Sequence, residues 1–180
     1  MTRLRPFRFG IQADGAPTGT EWADLARRAE HHGYSCLTMP DHFGDQLAPV
    51  PALMAAAAAT TTLRVGALVF DNDYKHPVVL AKELATIDVL SDGRLEIGLG
   101  AGWLVKEYEA LGIPFPSAGE RIALLRETVE CMKAAYSGEP LDYRGDYVTS
   151  YGYTAVPPVI QRPHPPILIG GGAPKVLGLA

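Results

Sequence analysis

The 180-residue sequence has few cysteines and no long apolar run. Its two cysteines, Cys36 and Cys131, lie in apolar-periodic segments and not at a metal-ligand spacing, which indicates buried free thiols and predicts no metal site. No apolar run follows the charged N-terminal residues, and the most hydrophobic stretch, 51–62, is short and rich in alanine. We therefore expect neither an export signal nor a membrane span, and we expect a cytoplasmic protein.

An excess of positive charge is also missing. The formal net charge is −4, and the 16 Lys and Arg residues are scattered along the chain. A nucleic-acid-binding surface needs a basic stripe that neutralises phosphates, so we do not expect nucleic acid as a partner. With 47% hydrophobic and 20% charged residues, the chain has the composition of a globular domain with one sizeable core.

Short apolar runs alternate with segments of helical periodicity along most of the chain. This alternation predicts a parallel sheet that helices cover on both faces. The predicted strands are 7–12, 34–39, 63–70, 95–100 and 166–169. The predicted helices are 20–32, 52–60, 78–90 and a segment from the capping box Ser117-x-x-Glu120 to Gly138. Residues 139–165 have no clear period, so we predict an irregular excursion there within a single domain, 1–180.

Two architectures fit this pattern, the open doubly wound sheet and the (β/α)₈ barrel. A dinucleotide-binding sheet would carry Gly-x-Gly-x-x-Gly after its first strand, where this chain has Ala13-Asp14-Gly15-Ala16. Glycine clusters instead follow the fourth and fifth predicted strands, which favours a barrel that spreads its site over many strand ends. Because a barrel typically needs ~250 residues, we expect an incomplete TIM barrel with about strands one to five.

Asp41-His42 directly follows the second predicted strand, at the carboxyl end where a barrel builds its site. A histidine beside an acid can hold or move a proton near neutral pH. The alternative is structural: Asp41 caps a turn and His42 is only solvated. His76 and Lys75 could reach a ligand, but a histidine that precedes a helix-starting proline is more often a turn residue, and we interpret His76 as one.

Two glycine clusters predict a cavity at the same end of the barrel. Gly98-Leu99-Gly100-Ala101-Gly102 would let the backbone approach a flat ring or a phosphate closely. The same glycines also fit a tight turn from the end of a strand into a loop. Gly170-Gly171-Gly172 leads into a helix that begins near Pro174, which predicts a phosphate site, with a flexible turn as the alternative. No second charged clamp for a phosphate is recognised in the sequence.

Several motifs in fixed order resemble the luciferase-like monooxygenase family over nearly the whole chain. They are Met39-Pro40-Asp41-His42, Leu63-Arg64-Val65-Gly66, the segment His76 to Asp88, Ser91-Asp92-Gly93-Arg94, Gly98 to Trp103, and Pro166 to Gly172. Their order and spacing are more specific than any single glycine motif. The match most resembles the branch of the family that uses the deazaflavin coenzyme F420.

The resemblance implies that the deazaflavin lies across the carboxyl ends of the strands and exchanges a hydride with a small organic substrate. It implies catalytic roles for Asp41 and His42 and a non-proline cis peptide at Leu68-Val69. The cofactor-binding residues that we expect are Asp41, Leu68, Val69, Gly100, Ala101, Gly102, Lys106, Gly171, Gly172, Ala173, Lys175 and Val176.

The chain departs from the family pattern at Trp103, where the sugar-phosphate dehydrogenases of the family carry a catalytic Glu. It also lacks the expected strands six to eight, which hold much of the substrate pocket in such enzymes. Two alternatives therefore stand beside F420 chemistry: an FMN-dependent monooxygenase, and a truncated, non-catalytic barrel that acts as an assembly piece. We expect a homo-oligomer for the F420-dependent enzyme and for both alternatives.

Overall fold

A computed structural model describes residues 7–179 of the chain. Strands and helices alternate, with two extra strands late in the chain. The strands are β1 (Gly10–Gln12), β2 (Cys36–Met39), β3 (Arg64–Ala67), β4 (Phe70–Asp71), β5 (Leu95–Gly100), β6 (Leu141–Arg144), β7 (Thr149–Tyr153) and β8 (Ile167–Gly170). The helices are α1 (Gly19–His31), α2 (Pro49–Ala58), α3 (Pro77–Leu90), α4 (Val105–Leu111), α5 (Ala118–Ala135) and α6 (Pro174–Leu177).

The main sheet is parallel, as the alternation predicts. Strands β1, β2, β3 and β5 pair in that order, and β4 and β8 both pair with β5. The third predicted strand is divided into β3 and β4 at Leu68 and Val69, and both parts pair with β5. Because all the strands run the same way, their carboxyl ends lie along one edge.

The core lies between the sheet and helices α1, α2, α3 and α5. Leu37, Ile97 and Leu99 of the strands are fully buried in the same cluster as Leu53 of α2 and Leu84 of α3. Complete burial of each such side chain contributes about 1.5–3 kcal/mol to folding, so this cluster is the main source of stability.

Local interactions stabilise several helix ends. Thr18 caps α1, where its Oγ1 accepts from the backbone N–H of Glu21 at 3.2 Å. Gly33 follows α1 with φ +79°, the left-handed geometry expected of a glycine that ends a helix. The predicted capping box of Ser117 and Glu120 is present at the start of α5. Helix α5 ends at Ala135, three residues before the predicted stop.

The segment predicted to be irregular contains an antiparallel hairpin of β6 and β7. Strand β6 alternates between apolar and polar residues over only four positions, and β7 is mostly exposed without a regular alternation. The period that reveals a strand is therefore too short to recognise in the sequence. The carboxylate of Glu127 in α5 accepts from the backbone N–H groups of Asp146, Tyr147 and Val148, which holds the hairpin turn on the helix.

Both cysteines are buried free thiols, which confirms that prediction. Among residues 7–179, no helix has the length and apolar character that crossing a membrane requires.

A buried carboxylate fixes the chain just before β8. Asp88 of α3 has no exposed surface, and its Oδ2 accepts from the backbone N–H of Ile160 at 2.6 Å and of Gln161 at 3.1 Å. Its Oδ1 accepts from Nε2 of Gln161 at 2.7 Å. Every described partner of the carboxylate is therefore a donor, and these bonds tie the end of the irregular segment to α3.

We expect Asp88→Asn to lower the free energy of unfolding by about 2 kcal/mol, because either orientation of the amide turns an NH₂ group toward buried donors. Urea denaturation followed by circular dichroism measures this change. The matched control is Asp14→Asn, at an exposed position whose side chain has no described hydrogen bond, and it should change stability little. Equal stability of the two variants would contradict the role assigned to Asp88.

Candidate functional site

A cavity of about 510 Å³ opens at the carboxyl ends of β2, β4, β5 and β8. It brings together all but two of the residues predicted for the site. Those that line it are Asp41, His42, Leu68, Val69, Gly100, Ala101, Gly102, Gly171, Gly172, Ala173 and Val176. The two exceptions are Lys106 and Lys175, which are exposed and lie outside the lining.

One wall of the cavity is formed where the third barrel strand is interrupted. The peptide bond between Leu68 and Val69 is cis, as the resemblance implies. The Val69 side chain fits against the glycines of the neighbouring strands: a Cβ on Gly100 would lie 2.5 Å from Val69 Cγ2. This close approach carries the backbone of Leu68 and Val69 to the cavity surface, and Leu68 stays 49% exposed.

The glycine loop after β8 leaves part of the cavity empty of side chains. Gly172 lines the cavity, and a Cβ built on it meets no heavy atom within 4 Å. The space beside it is therefore open to a ligand, and backbone there can approach a bound molecule closely.

A positive charge that the sequence analysis did not recognise also reaches the cavity. Arg121 of α5 lines it, and its guanidinium donates to the carbonyl oxygens of Ala101, at 2.9 Å, and Pro116. The same group lies over the ring of Phe115, 3.7 Å from its centroid. Arg121 is therefore held in place and can attract an anionic part of a ligand. It follows Gly102 by 19 positions, so no local motif signals its role.

Two aspartates of the cavity lining, Asp41 and Asp71, are joined by a hydrogen bond. The N–H of Asp71 donates to Oδ2 of Asp41 at 3.1 Å. Burial raises the pKa of Asp41 to about 6, and this hydrogen bond only partly offsets the effect. Asp41 can therefore gain or lose a proton near neutral pH at the edge of the cavity.

A tyrosine supports the loop that carries Gly102. Its hydroxyl, on Tyr108, donates to Oδ1 of Asp71 at 2.6 Å and lies 3.1 Å from Oδ2 of Asp73. Burial and the two neighbouring carboxylates raise the pKa of Tyr108, so it remains a donor. A Cβ on Gly102 would collide with this hydroxyl, which makes glycine necessary there.

His42 is paired with an acid that the sequence analysis missed. Its Nδ1 lies 2.9 Å from Oε2 of Glu107, and its ring meets Trp103 edge to face at a centroid distance of 5.8 Å. Glu107 belongs to α4, a seven-residue helix with no side-chain cap, so neither length nor capping indicates it. The pairing supports a role for His42 beyond that of a solvated loop residue.

His76 has the structural role expected of it. Its Nδ1 accepts from the backbone N–H of Val78 at the start of α3, at 3.3 Å. The neighbouring Lys75 pairs with Glu83. Neither His76 nor Lys75 lines the cavity.

Comparison with known proteins matches residues 4–180 to the model of the luciferase-like monooxygenase family. The chain belongs to this family. It is 33% identical to an F420-dependent glucose-6-phosphate dehydrogenase from Nakamurella multipartita, over 97% of this chain and 53% of the relative. It is 31% identical to an FMNH₂-dependent dimethylsulfone monooxygenase from Pseudomonas putida, over 83% of this chain and 42% of that protein.

Among solved structures, the coenzyme F420-dependent tetrahydromethanopterin reductase from Methanopyrus kandleri matches with a TM-score of 0.84 and 27% identity. The match covers 96% of this chain and 52% of the reductase. The chain thus spans about half the length of the relatives it matches. The likeness confirms the predicted fold, a luciferase-like TIM barrel of which the described sheet forms about half.

The raised pKa of Asp41 leads to a prediction about stability and pH. The folded state keeps the proton up to about pH 6, whereas the unfolded chain loses it near the ordinary value of 3.8. Ionisation therefore costs the folded state free energy, and the free energy of unfolding falls as the pH rises through this window. Asp41→Asn removes this fall, so its stability relative to the wild type should rise by about 1–2 kcal/mol between pH 4 and pH 7.

Urea denaturation at a series of pH values measures this difference. The control is Asp45→Asn, which makes the same change at an exposed position in the same loop. A constant difference between Asp41→Asn and the wild type across the window would show that Asp41 ionises normally.

Proposed function

We propose that this chain belongs to an oxidoreductase that transfers a hydride between coenzyme F420 and a small organic substrate. The observation that carries the proposal is the cavity itself, which is lined by all but two of the residues that the family resemblance assigns to the cofactor and to catalysis. The F420-dependent dehydrogenase and reductase among the relatives support the choice of cofactor.

The residues present fit such a cofactor. The Leu68-Val69 segment, with its two aliphatic side chains, offers a surface for one face of a flat ring, and the open space beside Gly172 admits a bulky group without a clash. Arg121 supplies the positive charge that a phosphate-bearing tail requires. When bound, F420 supplies the ring that accepts or donates the hydride.

The protein's own residues then position the reactants and manage the proton. His42 lines the cavity and holds a proton at one of its ring nitrogens, and Asp41 provides a second ionisable group at the same edge. Trp103 is 69% exposed beside His42, so its ring is available to pack against an organic substrate.

An FMN-dependent monooxygenase is the second candidate. The FMNH₂-dependent relative from Pseudomonas putida favours it, since its identity to this chain is close to that of the F420-dependent dehydrogenases. A reduced flavin ring would use the same apolar wall, so the two cofactors must be separated by direct binding.

We expect F420 to bind the chain at one site and about tenfold or more tightly than FMN, which corresponds to a difference of at least about 1.4 kcal/mol. Titration of F420 fluorescence with protein, and of FMN fluorescence in parallel, measures both dissociation constants. Tighter binding of FMN would support the monooxygenase, and no binding of either would reject a cofactor site in this chain.

We expect Gly172→Val to weaken F420 binding at least about tenfold, because the side chain fills cavity space and not protein interior. The melting temperature should change little. Gly19→Val makes the same substitution at another position where a Cβ meets nothing within 4 Å, outside the cavity, and should leave binding unaltered. If both variants bind F420 as the wild type does, the cofactor does not occupy the space beside Gly172.

We further propose that the chain forms a homo-oligomer. Phe9, next to β1, is 70% exposed, and Leu168 of β8 is 44% exposed. Exposed apolar residues at the outer strands of a sheet favour association. Light scattering after size-exclusion chromatography measures the mass, and turnover of the same fractions distinguishes an active enzyme from an assembly piece.

A further inference from the structure

The pairing of His42 with Glu107 joins two distant parts of the chain at the cavity. His42 follows β2, whereas Glu107 lies 65 positions later in α4. The contact uses one ring nitrogen, Nδ1, at 2.9 Å from the carboxylate. Within residues 7–179, no hydrogen bond is found for the other ring nitrogen, Nε2, and His42 contributes to the lining of the cavity.

Glu107 is held by two further donors. Its Oε1 accepts from the backbone N–H of Phe43 at 3.0 Å, and its Oε2 accepts from the hydroxyl of Tyr74 at 3.0 Å. The side chain is only 14% exposed. Partial burial raises the pKa of Glu107, but the hydrogen bonds from His42, Phe43 and Tyr74 outweigh burial and keep the pKa below its usual value.

An ionised carboxylate can only accept hydrogen bonds. A neutral imidazole has one protonated and one unprotonated nitrogen, so the nitrogen next to such a carboxylate must be the protonated one. The geometry at Glu107 therefore selects between the two forms of neutral His42. Carboxylates have this effect on histidines in other sites, where they set the ring's orientation and tautomer.

We propose that Glu107 is a positioning residue that fixes the tautomer of His42. With its proton on Nδ1, neutral His42 presents Nε2 as an acceptor to the molecule in the cavity. Nε2 then takes the proton that accompanies hydride transfer in one direction and returns it in the other. This inference deepens the proposed function and rests on it for the identity of the reaction, but the tautomer itself is a property of the protein alone.

Other charged groups near His42 do not take this role. Asp41 and Asp71 are its acidic neighbours besides Glu107. The Asp41 carboxylate accepts from the backbone of Asp71, and the Asp71 carboxylate accepts from Tyr108. In the described part of the chain, only Glu107 forms a hydrogen bond with the His42 ring.

Long-range proton–nitrogen correlation NMR on ¹⁵N-histidine-labelled protein reads the tautomer directly. At a pH where His42 is neutral, we expect the wild type to show the Nδ1-protonated form. Glu107→Gln should lose this preference, because an amide can donate as well as accept. The control is Glu109→Gln, the same substitution two residues further along α4 at an exposed side chain, and it should keep the wild-type spectrum.

A wild-type His42 protonated mainly on Nε2, or an unchanged tautomer in Glu107→Gln, would overturn the proposal. If Glu107→Gln does not fold, Tyr74→Phe serves instead, since it removes one of the two other donors to Glu107 and leaves the histidine contact in place. With this competing donor to Oε2 removed, the carboxylate still accepts from His42, so the Nδ1-protonated form should be at least as populated as in the wild type. A shift toward the Nε2-protonated form would overturn the proposal.

Turnover with F420 separates this inference from the proposed function. We expect Glu107→Gln to lower kcat about 10–100-fold while the dissociation constant of F420 changes less than about twofold. Absence of F420 binding in the wild type would reject the proposed function and leave the tautomer result standing. Normal F420 binding with unchanged kcat in Glu107→Gln would reject the positioning role alone.

Discussion

The contact between Val69 and the glycines of the strands beside it determines the shape of the site. A side chain larger than hydrogen at Gly100 would overlap Val69, and so would one at Gly170. Because these strand ends lack side chains, the chain between β3 and β4 can press against β5 and β8 and bring its backbone to the cavity. The cavity thus depends on the missing side chains of these glycines as well as on the residues that line it.

The polar half of the site is built around this apolar wall. Asp41 and His42 follow β2, and Asp71 ends β4, so the parallel register brings their side chains to one edge. Burial at this edge is incomplete, which lets the carboxyl of Asp41 remain in exchange with solvent while its pKa is raised. Tyr108 and Glu107, both from α4, support this edge from the neighbouring helix.

Prediction from the sequence succeeded where the determining contacts are local. Strand β5 was predicted with its observed bounds because six consecutive residues carry the signal, and the capping box of Ser117 depends on a residue three positions away. Helix α4 was missed because it is short and lacks a polar cap. The partner of His42 was missed for a different reason, since a contact across 65 positions exists only once the sheet has formed.

The end of β5, the loop after it and the start of α4 carry several parts of the site on one short segment. Residues 98–107 include two of the glycines against Val69, Gly98 and Gly100, together with the aromatic neighbour of His42 and the acid that pairs with it. Since Gly102 and Glu107 lie on one short stretch, a deletion between them would shift the cavity lining and the histidine partner together. This stretch is therefore a natural unit for transplantation between related barrels, because it carries one wall of the cavity and the partner of the cavity's histidine in the same ten residues.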